Sequence, residues 1–284
     1  MDAPFSLRYR GSMGTSDQPV GNLLREWRQR RRMSQLELAL EAGISARHVS
    51  FLETGRSTPS REMVLHLADE LEVPLRDRNN LLVAAGYAPV FRERTLRDPA
   101  LDVARKAIDL VLEAQKPYPA FAIDRHWTIV ASNRAIPELY VGVSDALLRR
   151  PVNALRLSLH PEGLAPRIAN FAEWRAHMLG RLHRQIDLTA DPVLKDLLRE
   201  LSDYPTLNAG ASKASKACAP DRECTSLVMP LNLVINGTTL AFFSTTTIFG
   251  TPVDITLSEI AIESFFPADT ATAEAVTLLA NPKS

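Results

Sequence analysis

Residues 34–55 read SQLELALEAGISARHVSFLETG, and this stretch decides how the first part of the chain folds. Ser34, followed three residues later by Glu37, is the pattern of a capping box at the start of a helix. Gly43 stands where this helix has to end in a left-handed conformation, which a Cβ atom would resist. Ser45 is then placed to cap a second helix. The spacing therefore predicts two short helices joined by a tight turn.

The second of these helices carries the side chains that can contact another molecule. Val49 and Leu52 lie three residues apart and share its buried face, which leaves Arg47 and Phe51 near its start or on its outer face. The first turns of such a helix reach base edges in the major groove of DNA. We therefore predict that Arg47 reads a guanine and that Phe51 contacts a thymine methyl group. The predicted DNA-contacting residues are Gln35, Ser45, Ala46, Arg47, Ser50, Phe51, Arg56, Arg25 and Arg28.

The flanking segments favour the same arrangement. Residues 21–33, GNLLREWRQRRRM, predict a helix with apolar residues on one side and arginines around the remainder. Residues 57–74 and 75–86 predict two further helices. Five short helices with a basic first member resemble the DNA-binding domain of the Xre/Cro-like repressor family across residues 21–86. The residues that carry the resemblance are Gln35, Ala39, Gly43, Val49, Leu52, Glu53 and Gly55.

Charge is distributed unevenly along the chain. The 284 residues carry 33 basic and 33 acidic side chains, so the chain as a whole has no net attraction for nucleic acid. Between Gly21 and Arg56, however, seven arginines stand against four glutamates. This local excess favours contact with DNA phosphates, and the family resemblance implies such a contact for Arg56. A solvated helix face is the alternative interpretation of the arginine run.

The sequence lacks signals of export, membrane insertion and catalysis. No stretch could serve as a signal-peptide core, and none approaches the roughly 20 apolar residues of a membrane span. The two cysteines, Cys218 and Cys224, are too few for a disulfide framework or a zinc site. No HExxH, nucleophile-elbow or Walker motif is present. We therefore expect a cytoplasmic protein that is not an enzyme and binds no metal. A self-cleaving repressor with a Ser–Lys pair is the enzymatic alternative.

The composition predicts a second domain beyond a linker. Residues 1–19 are expected to be a flexible amino terminus and residues 20–88 the helix-turn-helix domain. Residues 89–99 carry prolines and mixed charges and are expected to be the linker. The second domain is expected at residues 100–272, followed by a carboxyl-terminal tail at residues 273–284.

Strand signals occur at both ends of the second domain. Apolar runs at residues 121–123 and 127–131 flank a turn, and Asn133 then introduces a helix. Asn236 and Gly237 separate two later β-rich runs and indicate a type I′ hairpin. The strand, turn, strand and Asn-led helix resemble the opening of a PAS sensor domain.

Helices are expected between and after these strands. Residues 151–204 predict a long helical insert, and residues 256–269 predict a helix from the spacing of their apolar residues. Residues 206–224 lack a core pattern and are expected to form a mobile loop. The predicted fold class is therefore α+β. It comprises an all-α five-helix domain followed by a PAS-like antiparallel-sheet domain with a helical insert.

Longer runs in the second domain resemble one family in particular. Residues 151–185, residues 124–127 (DRHW) and residues 245–269 resemble the ligand-binding domain of MmyB-like transcription regulators. Those proteins join an Xre-type helix-turn-helix to a PAS-like domain. The resemblance implies that transcription is regulated by a small ligand, with fatty acids the leading ligand class.

Polar residues concentrated in the insert suggest a carboxylate site. A long-chain acid needs an apolar tunnel for its tail and a cation for its head, and arginine binds a carboxylate bidentately. Arg156 lies between two leucines and is expected to point inward, with His160 supporting it. The alternative is that these residues cap helices and tie the insert to the sheet, while the aromatic residues are plain core. The predicted ligand-binding residues are Arg156, His160, Asn170, Trp174, Phe121, Trp127, Phe242 and Phe249.

These features together predict a sequence-specific DNA-binding regulator. A homodimer on a palindromic double-stranded operator is expected, because one short recognition helix reads few base pairs. A bound fatty acid is the expected effector, with no other cofactor and no membrane partner. A haem- or flavin-sensing regulator, or a protein-interaction adaptor that no longer binds DNA, remains an alternative.

Overall fold

Five helices form the amino-terminal part of the computed structural model, which describes residues 18–205 and 229–280. The chain divides after Arg92 into two units with separate cores. Outside the described residues lie residues 1–17 of the amino terminus that is predicted to be flexible over 1–19, the predicted mobile loop at 206–224, and the last four residues. The helices of the first unit are α1 (Val20–Arg30), α2 (Gln35–Glu41), α3 (Ala46–Glu53), α4 (Arg61–Glu70) and α5 (Leu75–Ala84).

The predicted helix-turn-helix is confirmed in its local detail. The Glu37 amide donates to Ser34 Oγ at 3.1 Å, and the Ser34 amide donates to the Glu37 carboxylate at 2.6 Å. These two bonds complete the capping box of α2. Gly43 ends that helix with a φ of 62°, a conformation that favours glycine. Ser45 Oγ accepts from the His48 amide at 3.1 Å and caps α3.

Close packing of α1 on α3 fixes the recognition helix within the first unit. Gly21 lies against the end of α3, where a Cβ atom would come within 2.7 Å of the Glu53 carbonyl oxygen. Trp27 of α1 is buried in the same core as Val49 and Leu52 of α3. Burial of apolar side chains of this size stabilises the unit by about 1.5–3 kcal/mol each.

The second unit is built on a five-stranded antiparallel sheet. The strands lie in the spatial order β2-β1-β5-β4-β3, so β1 pairs with β5 although the two are far apart in sequence. Asn236 and Gly237, with φ angles of 50° and 76°, form the predicted hairpin turn. The α+β fold class is confirmed. The strands are β1 (Ala120–Ile123), β2 (Ile129–Ser132), β3 (Leu231–Ile235), β4 (Thr238–Ile248) and β5 (Ala261–Pro267).

Helices cover both faces of this sheet. A helix before β1, α6 (Asp102–Ala114), packs on the outer face over a small apolar cluster that includes Ile108 and Leu112. The insert between β2 and β3 packs over a larger core on the inner face, and that core includes Trp174 and Phe242. The remaining helices are α7 (Ile136–Leu139), α8 (Asp145–Leu148), α9 (Ala154–Leu159), α10 (Phe171–Thr189), α11 (Pro192–Ser202), α12 (Ile255–Ser258) and α13 (Thr270–Ala280).

Two expectations for the carboxyl-terminal region are wrong. Residues 261–267 form β5, the central strand of the sheet, where residues 256–269 were expected to be one helix. Since both faces of this strand are covered, its apolar residues do not alternate with polar ones, and their spacing does not distinguish a buried strand from a helix. Residues 270–280 form α13, whose Val276 is buried against the larger core, where a tail was expected.

Candidate functional site

One surface at α3 is formed by three of the predicted DNA-contacting residues, Arg47, Phe51 and Arg56. The guanidinium of Arg47 lies 5.1 Å from the ring centroid of Phe51, and that of Arg56 lies 5.8 Å from the same ring. Such cation–π contacts hold both cations close to the phenyl ring. The surface therefore presents two positive charges beside an aromatic side chain, which suits contact with phosphates and base edges. Among the predicted contacts of this region, Ser45, Arg47 and Arg56 are exposed, Ser50 and Phe51 are half-buried, and Ala46 packs against the core of the first unit.

Arg28 does not belong to this surface. Its Nε donates to Glu53 Oε1 at 2.6 Å, its Nη2 donates to Glu53 Oε2 at 2.9 Å, and its Nη1 donates to the Met33 carbonyl at 2.7 Å. Gln35 is half-buried and donates to the same carboxylate at 2.8 Å. The prediction that Arg28 contacts DNA is therefore wrong, because the side chain is buried and neutralised within the unit. Arg25, about one turn earlier, is exposed.

An apolar cavity lies in the second unit between the inner face of the sheet and the helices α7, α9 and α10. Four of the aromatic residues predicted as ligand contacts line it, Phe121, Trp127, Trp174 and Phe242. The free volume is about 60 Å³. That volume corresponds to about two water molecules, since each takes up about 30 Å³ in the liquid. The aliphatic part of the wall is formed by Ile136, Leu139, Leu155, Leu157, Leu164, Met178, Leu231 and Leu233.

An ion pair lies at the wall of this cavity. Nη2 of Arg181, on α10, donates to Oε1 of Glu263, on β5, at 2.6 Å. The Thr246 hydroxyl donates to the same oxygen at 2.8 Å. The Glu263 side chain is only 3% exposed and that of Arg181 is 22% exposed, so the pair lies largely out of water. Burial also raises the pKa of the Tyr140 phenol, another polar group of the wall, above its ordinary value.

The turn between β1 and β2 holds Trp127 against this ion pair. The indole Nε1 of Trp127 donates to Gln185 Oε1 at 2.8 Å, and the centroid of the indole ring lies 4.9 Å from the Arg181 guanidinium. Its φ of 65° is a left-handed conformation that costs a non-glycine residue about 1–3 kcal/mol. The neighbouring His126 Nε2 lies 2.9 Å from Asp191 Oδ2. Burial raises the pKa of Asp191, but the hydrogen bonds from His126 and from a backbone amide outweigh it and hold the pKa at about 2.

Arg156 and His160 lie outside the cavity. Adjacent side chains on a helix point about 100° apart, so Arg156 points away from the core that its neighbouring leucines enter. Its Nε and Nη2 each donate to Glu200 on α11 at 2.7 Å. The His160 ring packs edge-on against Tyr204, with centroids 4.9 Å apart. The prediction that Arg156 points inward is wrong, and both residues instead tie α9 to the α11 region.

Two further predicted ligand contacts also join structural elements. Asn170 Nδ2 donates to the Pro230 carbonyl at 2.8 Å, and its Oδ1 accepts from the Asn232 amide at 3.1 Å. These bonds fix the start of α10 to β3. Phe249 packs with the small cluster beneath α6, on the opposite face of the sheet from the cavity. Asn170 and Phe249 are therefore corrected from cavity residues to packing residues.

The sequence interpretation missed Arg181 and Glu263. Trp174, Met178 and Arg181 follow one another at spacings of four and three residues, which places them on one face of a helix. This spacing would identify Arg181 once Trp174 is accepted as a cavity residue. No such signal identifies Glu263, because a helical prediction for residues 256–269 does not alternate side chains between two faces.

Within residues 18–205 and 229–280, no three His, Cys, Asp or Glu side chains gather closely enough to hold a metal ion. In the same part of the chain, no helix is both long enough and apolar enough to cross a membrane. Cys218 and Cys224 lie outside the described residues.

Comparison with known proteins matches each unit to a different family model. Residues 24–77 match the model described as Helix-turn-helix. Residues 104–279, more than half of the chain, match the model described as MmyB-like transcription regulator ligand binding domain. The chain belongs to the MmyB-like transcription regulators. It is thus a DNA-binding helix-turn-helix regulator with a ligand-binding domain.

Two relatives of this MmyB-like regulator carry names of the same kind. A protein of Methanoculleus marisnigri (strain ATCC 35101 / DSM 1498 / JR1), provisionally named an HTH-type transcriptional regulatory protein, is 34% identical over 116 residues. This match covers 39% of the chain and 37% of the relative. The uncharacterized HTH-type transcriptional regulator RghRB of Bacillus subtilis (strain 168) is 40% identical over 76 residues, which are 26% of the chain and 52% of the relative. The chain therefore spans less than two thirds of either relative.

Proposed function

We propose that this MmyB-like regulator changes its affinity for an operator when a fatty acid binds in the cavity of the second unit. The observation that carries the proposal is an apolar cavity with a guanidinium, that of Arg181, at its wall. An acyl tail needs an apolar enclosure, and a planar guanidinium binds a carboxylate bidentately. Arg181 replaces Arg156 as the proposed anchor of the head group.

Arg181 retains donors for a ligand although Glu263 already binds it. A guanidinium has five N–H donors, and three of them are used by Glu263 and Thr246. A ligand carboxylate can therefore share the cation with Glu263. Sharing costs repulsion between the two carboxylates, so the proposal requires the apolar tail to supply most of the binding free energy.

The small volume of the cavity links ligand binding to a change of conformation. Sites for ligands of this size ordinarily measure about 300–1,000 Å³, whereas the free volume here is about 60 Å³. A long acyl tail therefore requires the insert helices to move away from the sheet. A ligand shifts an equilibrium between two conformations only if it binds them with unequal affinity. Selective binding to the widened conformation is such a difference, and it would shift the protein towards that conformation.

Titration with palmitic acid and with its alcohol analogue, cetyl alcohol, separates the head-group contact from the tail contact. The test variant is Arg181→Gln combined with Glu263→Gln, so that no unpaired charge is buried. Loss of a charge-assisted hydrogen bond, about 1.5–3 kcal/mol, weakens palmitic acid binding about 10- to 100-fold. Cetyl alcohol affinity is expected to stay within about threefold. Arg184→Gln, an exposed arginine on the same helix, is the matched control and should change neither affinity.

Two outcomes would count against this assignment. Palmitic acid bound equally well by the double variant would exclude Arg181 as the anchor. Failure of the unaltered protein to bind either compound, together with native mass spectra that contain no retained lipid after purification, would exclude the fatty-acid ligand altogether.

The alternatives from the sequence have weaker support. The cavity wall contains no histidine or cysteine among the described residues, which disfavours haem bound through either of these axial ligands. A colourless purified protein is the expected result. An adaptor that no longer binds DNA would select no sequence from random oligonucleotides. We propose instead that the protein is a homodimer that selects a palindrome. We also propose that it is not an enzyme and acts in the cytoplasm.

A further inference from the structure

Helix α6 of the second unit is apolar on two opposite sides. One side packs Ile108 and Leu112 against the outer face of the sheet. On the other side Val103 is 81% exposed and Leu110 is 71% exposed. A surface helix ordinarily buries one apolar stripe and presents polar residues outward. The second stripe is therefore a candidate contact surface.

The exposed stripe has the spacing of a helix–helix seam. Its members are separated by four, three and four residues, which is the alternation of core positions in a two-helix coiled coil. At 1.5 Å per residue the seam is about 16 Å long. The stripe is formed by Val103, Ala107, Leu110 and Ala114.

We propose that this stripe pairs in antiparallel orientation with the same stripe of a second copy of the chain. In that orientation Ala107 faces Leu110 of the partner subunit, and Val103 faces Ala114 of the partner subunit. Each layer then combines a small side chain with a large one, which fills the seam and allows close approach. A parallel pair would set alanine against alanine and leave gaps.

The charges beside the stripe favour the same orientation. Lys106 and Glu113 lie on one flank of the stripe, and antiparallel pairing brings Lys106 next to Glu113 of the partner subunit. Two-fold symmetry repeats this contact. A parallel pair would instead bring Lys106 next to Val111 of the partner subunit. Within one copy Glu113 pairs with Lys116, an exposed contact of the kind that contributes little.

Such a pair is self-complementary, which is what a symmetric dimer requires. It places two DNA-binding units in one particle, in agreement with the two half-sites of a palindrome. This inference does not depend on the ligand. Since the seam spans only about three turns, the area that it buries is small, and the dimer is expected to dissociate on dilution.

Analytical ultracentrifugation of the full chain over a range of concentrations tests the surface. Val103→Glu is expected to raise the dimer dissociation constant more than tenfold, since it places a charge in the seam. Val253→Glu is the matched control, because Val253 is 82% exposed and is not part of α6, and it should leave dimerisation unchanged. Val103→Glu is not expected to unfold the helix, since an acidic residue in the first turn stabilises it. Full retention of the dimer in Val103→Glu, or a monomer at every concentration, would overturn the proposal.

Charge reversal tests the antiparallel orientation separately. Lys106→Glu alone and Glu113→Lys alone each set like charges side by side and should weaken self-association about tenfold. When the two single variants are mixed, both interchain contacts again join opposite charges, so energy transfer between fluorescent labels should report a heterodimer as tight as the original dimer. The antiparallel seam would be excluded if the mixture formed no more dimer than either single variant forms alone.

Discussion

Arg28→Ala is expected to destabilise the DNA-binding unit, although Arg28 makes no contact with DNA. The substitution removes three hydrogen bonds of 2.6, 2.7 and 2.9 Å. It also leaves the Glu53 side chain, which is 2% exposed, without its cation. Loss of one partner of a buried ion pair costs about 3–5 kcal/mol. In a domain of this size each kcal/mol shifts Tm by about 4–8 °C, so the Tm of the first unit should fall by about 12–40 °C.

Differential scanning calorimetry of the full chain measures this loss. Operator DNA raises the unfolding temperature of the unit that binds it, which assigns one transition to the first unit. Arg25→Ala is the matched control, because its side chain is exposed and its removal should change stability by no more than about 0.5 kcal/mol while weakening DNA binding.

Removal of both charges together should restore the stability of the first unit. Arg28→Met combined with Glu53→Leu removes both buried charges and should recover most of the stability that Arg28→Ala loses. The structural role would be refuted if Arg28→Ala kept the original Tm within about 2 °C and lost operator affinity as Arg25→Ala does, since about 0.5 kcal/mol or less would then be involved.

Three further predictions concern the two units. Arg47→Ala should cost about 1–3 kcal/mol of operator binding free energy and relax the preference at one base pair. Arg56→Ala should weaken binding to all DNA sequences and reduce the slope of log affinity against log salt concentration by about one. Fluorescence anisotropy with operator variants at several salt concentrations distinguishes the two effects. Gly21→Ala should lower the Tm of the first unit, because the added Cβ would meet backbone carbonyls of α3, and unchanged calorimetry would contradict that packing. The Asp191 pKa of about 2 lies below its ordinary 3.8, so the ionised carboxylate stabilises the folded second unit. This contribution of Asp191 to stability should be complete above about pH 4 and should fall progressively towards pH 2. Urea unfolding over this pH range should show a smaller dependence in Asp191→Asn, and an equal dependence would exclude the effect.

Features that depend on neighbouring residues in sequence could be predicted from the sequence. The capping box at Ser34, the left-handed Gly43 and the hairpin at Asn236 and Gly237 each follow from the chemistry of a few consecutive residues. They were sufficient to predict the recognition helix and the hairpin of β3 and β4, but not the central strand β5. The large aromatic residues of the cavity were also identifiable, because such side chains are rarely left outside a core.

Features that depend on distant partners could not be predicted in this way. Arg28 and Arg156 have the same side chain as the exposed arginines near them, and the carboxylates that bind them, Glu53 and Glu200, lie 25 and 44 residues away in sequence. Glu263 belongs to a strand that is covered on both faces, where periodicity does not reveal the secondary structure. The cation at the cavity wall was missed because its partner lies 82 residues away in sequence.

Operator affinity measured with and without saturating fatty acid tests whether ligand binding in the second unit changes DNA binding by the first. The measurement uses the full chain, the operator selected from random oligonucleotides, and palmitic acid at concentrations where calorimetry shows the cavity to be filled. The account predicts a change in operator affinity of about 5- to 150-fold, the usual range of coupling between two sites. An operator Kd that stays the same with the cavity filled would contradict it.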